Sequence, residues 1–117
     1  MMNPLSEGLC LADKSGLSAQ TLLDVLDLGA IANPMFKLKG PAMLQGSYSP
    51  AFPLKHQQKD MRLALALGDE NAVSMPVSAA ANEAFKRTGV IGNQWSHLDA
   101  RFAAVSLVHC KAIGSSS

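Results

Sequence analysis

The stretch from Phe52 to Leu67, FPLKHQQKDMRLALAL, limits what this chain can fold into more than any other. Between Pro53 and Gly68 it has no β-branched side chain and no glycine. Nothing in it therefore opposes a helix, and the pattern predicts one from Pro53 to Leu67. Pro53 suits the first helical turn, because its φ is fixed and the N–H it lacks would be unpaired there anyway. Leu54, Met61, Leu65 and Gly68 recur on one face, with Gln57, Gln58 and Ala64 beside them. His56, Lys59 and Leu63 fall on a neighbouring face at i, i+3 and i+7. The helix thus has one side for a core and a Lys/His ridge that can face a cleft.

The rest of the chain must supply that core. At 117 residues and 48% hydrophobic, it suits one domain and is too apolar for disorder. The net charge of +1 is dispersed, so no basic stripe marks a nucleic-acid surface. Aromatics at 5% argue against a base-stacking platform. No apolar run approaches the roughly 20 residues of a membrane span. The start, MMNPLSEGLC, lacks the basic and apolar regions of a signal peptide. Cys10 and Cys110, without a CxxC, read as free thiols. His56, His97 and His109 do not pair at i, i+4, and no metal site is expected.

Taken in order, the chain reads as helices and turns. Pro4 to Lys14 is helical, with Leu5, Leu9 and Ala12 along one side and Gly16 as a left-handed cap. Ser18 caps a helix from Ala19 to Leu28, whose core stripe is Leu22, Val25 and Leu26 and which Gly29 stops. Asn33-Pro34 opens a short helix to Lys39 that buries Met35 and Leu38 or Phe36, and Gly40-Pro41 is expected to break it. Residues 41–52 read as loop, with at most a helical turn at Ala42 to Gln45. After the central helix, Pro76 opens another, with Val77, Ala80, Ala81, Ala84 and Phe85 inward, and residues Thr88 to Gln94 end it. Ser96 to Asp99 has the form of a capping box, and Trp95, Leu98, Phe102, Val105 and Val108 repeat at helical spacing before a frayed tail. The class is all-α, with five or six helices and no internal repeat.

Periodicity ends there, and the residues themselves go further. SEGLCLADKSGLSAQTLLDVLDLGAIANPMFKLKGPAM, followed by AFPLKHQQKDMRLALALGDENAVSMPVSAAANEAFKR, resembles the C-terminal domain of the β-hydroxyacid dehydrogenases. Within that 3-hydroxyisobutyrate dehydrogenase-like family it is most similar to the plant branch that reduces glyoxylate and succinic semialdehyde with NADPH. KDMRLALAL carries the family's K-D-x-x-L-A pattern, and AAANE follows it as expected. The likeness covers residues 1 to about 87. It implies a helical domain of the 6-phosphogluconate dehydrogenase-like type, which closes over a dinucleotide held by a separate Rossmann domain. Residues 88–117 depart from the family pattern and read as a divergent segment, one helix plus a frayed tail.

The resemblance also implies roles. Lys59 matches a lysine that reaches the nicotinamide half of the cofactor, Phe52 an aromatic beside the cleft, and Asp60 a residue that holds the helix or a domain contact. A hydrophobic staple is an equal reading of Phe52. His56 reads as surface and Asn82 as a helix-packing polar residue. No catalytic residue is assigned, because the family's proton-donating lysine aligns about three helical turns before Met1. No GxGxxG is present either. The implied origin is therefore an NADPH-dependent oxidoreductase whose 117 residues are expected to be inactive alone. The rival reading is a helical interaction module that pairs with full-length subunits as a homo-oligomer. The implied cofactor is NADPH, the substrates are small aldehydes or 2-oxo acids, and the implied compartment is the cytoplasm.

Overall fold

The computed structural model describes residues 1–47 and 52–92. They form five helices and no strand: α1 (Met2–Lys14), α2 (Ala19–Leu28), α3 (Pro34–Gln45), α4 (Leu54–Glu70) and α5 (Pro76–Gly92). The all-α class is thereby established. The helices belong to two compact units, α1–α3 in one and α4–α5 in the other. The expected capping box at Ser96 and the Trp95 stripe lie outside the described residues.

In the first unit α1 buries Leu5, Leu9 and Ala12, the stripe its spacing predicts. The helix starts at Met2, so Pro4 is its third residue. That position is still within the first turn, where a missing N–H costs nothing. At the other end Gly16 has φ +77°. Its N–H bonds the Asp13 carbonyl at 3.1 Å and that of Leu17 bonds Ala12 at 2.9 Å, a Schellman closure that needs the left-handed residue. Cys10 is disulfide-bonded, which corrects the expectation of a free thiol; Cys110 lies outside the described residues.

α2 begins where Ser18 accepts the Thr21 N–H at 3.2 Å. Its expected core stripe of Leu22, Val25 and Leu26 is met only in part. Leu23 is the buried residue, while Val25 is 58% exposed and Leu22 and Leu26 are half-buried. The apolar residues cover a little over half of this helix, opposite Gln20, Asp24 and Asp27, and contact with α3 selects their Leu23 edge as the buried one. An ideal Cβ on Gly40 would lie 2.7 Å from Leu23 Cδ2, so the two helices meet where Gly40 has no side chain.

The same contact explains why α3 runs straight through Gly40-Pro41. Asn33 accepts the Phe36 N–H at 3.1 Å, and Pro34 takes the first helical position. Pro41 then denies the Lys37 carbonyl its usual donor, at a cost of about 3 kcal/mol. Burial of Lys39, Gly40 and Met43 in this segment keeps it helical. Met35 and Phe36 are half-buried and Leu38 is exposed. The helix stops instead at Gly46, φ +70°, with a second Schellman closure from Ser47 N–H to Ala42 at 3.0 Å.

The second unit is an antiparallel hairpin, as paired positions show: Leu54 packs with Phe85, Gln58 Nε2 donates to Asn82 Oδ1 at 3.2 Å, and Gly68 meets Met75. On α4, Leu54 and Gly68 are buried, and Gln57, Gln58, Met61 and Leu65 are half-buried. That is the predicted core face, except for exposed Ala64. Pro53 is the N-cap, with the helix starting one residue later. The helix also outruns Gly68 by two residues. Its left-handed closing residue is Ala72, φ +55°, and Val73 N–H bonds the Gly68 carbonyl at 2.9 Å. Gly68 serves close packing instead: a Cβ there would lie 2.8 Å from Met75 Sδ.

The expected inward face of α5 is met at Phe85, which is buried, and at Ala81 and Ala84, which are half-buried, but not at its start. Val77 is 80% exposed and Ala80 is exposed, whereas Asn82, Phe85 and Thr88 are buried. Asn82 faces inward because half-buried Gln58 supplies its partner, and Thr88 Oγ1 donates to Ala84 O at 3.1 Å. Two polar residues thus sit inside with their hydrogen bonds made, and an apolar-only stripe cannot show them. α5 continues through Thr88 as far as Gly92.

Candidate functional site

Two concavities lie within the first unit, and neither offers chemistry. The larger, about 660 Å³ and open, runs between α1 and α2 and is lined by Leu11, Leu17, Leu22 and Val25 with small and hydroxyl residues. Among the described residues its lining has no titratable side chain. The smaller, about 130 Å³, lies between α2 and α3 near Asp24 and the Lys37–Asp27 pair, whose atoms are 3.4 Å apart and mostly exposed. Asp24 accepts a hydrogen bond from Gln20 Nε2 at 3.0 Å. Among the described residues no cluster of His, Cys, Asp and Glu is arranged to hold a metal ion. None of their helices is long and apolar enough to cross a membrane.

The polar groups predicted from sequence stand together on α4. At 100° per residue, His56, Lys59, Asp60, Leu63 and Leu67 lie roughly half a turn from the Leu54–Met61–Leu65–Gly68 face. They point away from α5, and all five are exposed. The ridge is thus opposite the core face, where the sequence suggested an adjoining one. Gly68 and Leu54 fix that direction, because each is buried against α5 or the turn leading to it.

Lys59 Nζ and Asp60 Oδ1 are 3.2 Å apart, and each side chain is about half exposed at 52%. A pair so accessible to water contributes at most about 1 kcal/mol. The carboxylate therefore holds the ammonium loosely, and two of the three N–H donors remain able to take other oxygens. Phe52 precedes Pro53, whose extended ψ of 140° turns the chain before the helix starts. The Phe52 ring meets the His56 ring at a centroid distance of 5.8 Å and a tilt of 39°. The result is a continuous exposed strip: aromatic at the helix start, then imidazole, then ammonium and carboxylate.

Of the three residues assigned by resemblance, Lys59 and Asp60 stand on α4 and Phe52 just ahead of its N-cap, all three exposed. His56 reads as surface from the sequence, and its ring contact with Phe52 is what that reading lacks. The i, i+4 spacing of two aromatic rings was the available signal. Asn82 is buried and bonded to Gln58, a packing role.

Comparison with known proteins places this geometry in a family. The model of the NAD-binding domain of NADP-dependent 3-hydroxyisobutyrate dehydrogenase matches residues 1–101. Glyoxylate/succinic semialdehyde reductase 1 of Arabidopsis thaliana is 78% identical over 92 residues, 79% of this chain and 32% of the relative. The chloroplastic glyoxylate/succinic semialdehyde reductase 2 of the same plant is 47% identical over 105 residues, 90% of this chain and 28% of the relative. A crystal structure of 3-hydroxyisobutyrate dehydrogenase from Salmonella typhimurium superposes with a TM-score of 0.74 at 20% identity, over 91% of this chain and 36% of that one. At that identity the superposition speaks for the fold. The chain therefore spans about a third of the length of these relatives. A match over 101 of 117 residues, on a helical fold shared with a solved dehydrogenase, makes the chain a member of the NAD-binding family of the NADP-dependent 3-hydroxyisobutyrate dehydrogenases.

Proposed function

We propose that these residues form the helical, cofactor-covering part of an NADPH-dependent reductase acting on glyoxylate or succinic semialdehyde. The observation that carries the reading is the α4 strip. Its ammonium is half exposed and held only by a neighbouring carboxylate, in a chain 78% identical over 92 residues to a reductase of that name. The residues fit the nicotinamide half of a dinucleotide in kind. Lys59 offers hydrogen bonds to ribose or carboxamide oxygens. Phe52 offers an apolar face to a flat ring, and Asp60 keeps the lysine side chain on the strip. NADPH, when bound, supplies the hydride. The 117 residues include no glycine-rich turn for a pyrophosphate, so the second half of the site must come from other residues. The expected boundary at residue 87 falls inside α5, and the family match runs on to residue 101, so the helical domain extends past 87 in this reading. The compartment is the cytoplasm.

The experiment compares two proteins. The 117-residue chain alone is expected to show no NADPH oxidation with glyoxylate or succinic semialdehyde. A single exposed ammonium contact, about 1.5–3 kcal/mol at most, cannot offset an association cost of several kcal/mol. Joined behind the dinucleotide-binding portion and interdomain helix of the Arabidopsis relative, it is expected to turn over. In that chimera Lys59→Ala should raise the KM for NADPH about tenfold, the low end of a charged hydrogen bond in a partly open site. Saturable turnover by the 117 residues alone would refute the reading. So would a chimera whose KM ignores Lys59.

A further inference from the structure

We infer that His56 is a positioning residue for the cofactor strip: its ring backs Phe52 and sets where that ring stands relative to Lys59. The inference rests on the cofactor reading above and goes beyond it, since His56 has no role there.

The argument starts from what Phe52 does not do. With Pro53 as N-cap, Phe52 occupies the position from which a hydrophobic staple reaches the fourth helical residue. That residue is Gln57, which is polar, so the staple has no apolar partner. Phe52 remains 37% exposed, outside the Leu54–Phe85 core. Its aromatic partner is His56, the third helical residue, tilted by 39° at 5.8 Å. That separation and tilt fall within the range in which aromatic pairs attract. A phenyl ring held partly in water by an exposed imidazole is not serving as a core anchor. It is a ledge with one face backed and the other available.

The ledge is also continuous with the charged end of the strip. His56 and Lys59 are one turn apart, as are His56 and Asp60. Phe52 and Lys59 are seven residues apart, and His56 is the side chain between them on that side of α4. Without its ring, Phe52 loses its backing and its rotamer is no longer fixed relative to the ammonium. A ligand that must meet both a ring face and a cation then pays ordering entropy that the native strip has already removed.

The test is an NMR titration of the chimera described above with NADPH, following the Phe52 ring and the Lys59 side chain. Four versions are compared: native, His56→Ala, His56→Gln and His56→Phe. His56→Ala and His56→Gln should weaken the NADPH response at Phe52 about fivefold, the scale of one lost aromatic pair. His56→Phe should stay within about twofold of native, because it restores a ring. The signals of Leu54 and Phe85 should not move among the four, which separates positioning from a general loss of structure. If native Phe52 and Lys59 both respond and all four versions titrate alike, the inference is wrong and the cofactor reading stands. If neither residue responds in the native chimera, the cofactor reading falls and the inference with it.

Discussion

Substituting Gly40 by alanine should change sign with the residue opposite it. In isolation Gly→Ala in a helix interior stabilises by about 1 kcal/mol. Here the new methyl would stand 2.7 Å from Leu23 Cδ2 and 2.9 Å from Cδ1, inside any real carbon–carbon contact. Leu23 is 8% exposed, so it has little room to withdraw. Forcing a methyl into such a place costs about 1–3 kcal/mol. Gly40→Ala should therefore destabilise the native chain by about 1 kcal/mol, the excess of overpacking over propensity. Leu23→Ala alone should cost about 2–4 kcal/mol as a cavity. In that background the clash is gone and the methyl fills part of the void, so Gly40→Ala should now stabilise by about 1 kcal/mol or more. Urea unfolding of the four proteins, followed by far-UV circular dichroism, gives the cycle directly. A coupling of about 2 kcal/mol is expected. The same sign for Gly40→Ala in both backgrounds would refute the idea that this contact sets the face of α2.

Three further perturbations test other parts of the description. Ala72→Gly should raise stability by about 1 kcal/mol in the same assay, because a left-handed residue at φ +55° carries a Cβ penalty that glycine lacks. Asn82→Ala should cost about 1–3 kcal/mol by leaving half-buried Gln58 without its acceptor, and Gln58→Leu combined with Asn82→Leu should recover much of that loss. Lys59→Ala should move the urea midpoint hardly at all, within about 0.5 kcal/mol, since its ion pair is half exposed; a larger loss would mean that the lysine is structural.

What could be read from sequence divides by the range of the forces involved. The Ser18 and Asn33 caps and the Gly16 closure were legible, because each is settled within one turn of the chain. The core face of α4 was legible because Leu54, Met61, Leu65 and Gly68 have few apolar competitors on the other sides of its first half. Gly40-Pro41 was misread as a break because both residues oppose a helix locally; the contact that overrides them is with Leu23, seventeen positions away. The faces of α2 and α5 were legible only in part, for two different reasons. On α2 the residue packed most closely, Leu23, lies at the edge of the apolar side, and α5 turns a buried asparagine inward to meet a glutamine on another helix. At the candidate site the nearness of Phe52, Lys59 and Asp60 was legible from their spacing, and what they bind is the proposal above. The Phe52–His56 contact was not legible, since it depends on how Pro53 turns the chain.

Because α4 packs through one side and presents its polar strip on the other, the two kinds of damage it can suffer should be separable by genetics. Scored for abundance, every substitution along the helix should trace a wave of period 3.6 with its troughs at 54, 58, 61, 65 and 68. Scored for activity per folded molecule in a full-length context, a second wave of the same period should appear, with its troughs at 56, 59, 60 and 63. The two waves would run in antiphase, so that a map of variants could distinguish loss of the protein from loss of its chemistry at single-residue resolution.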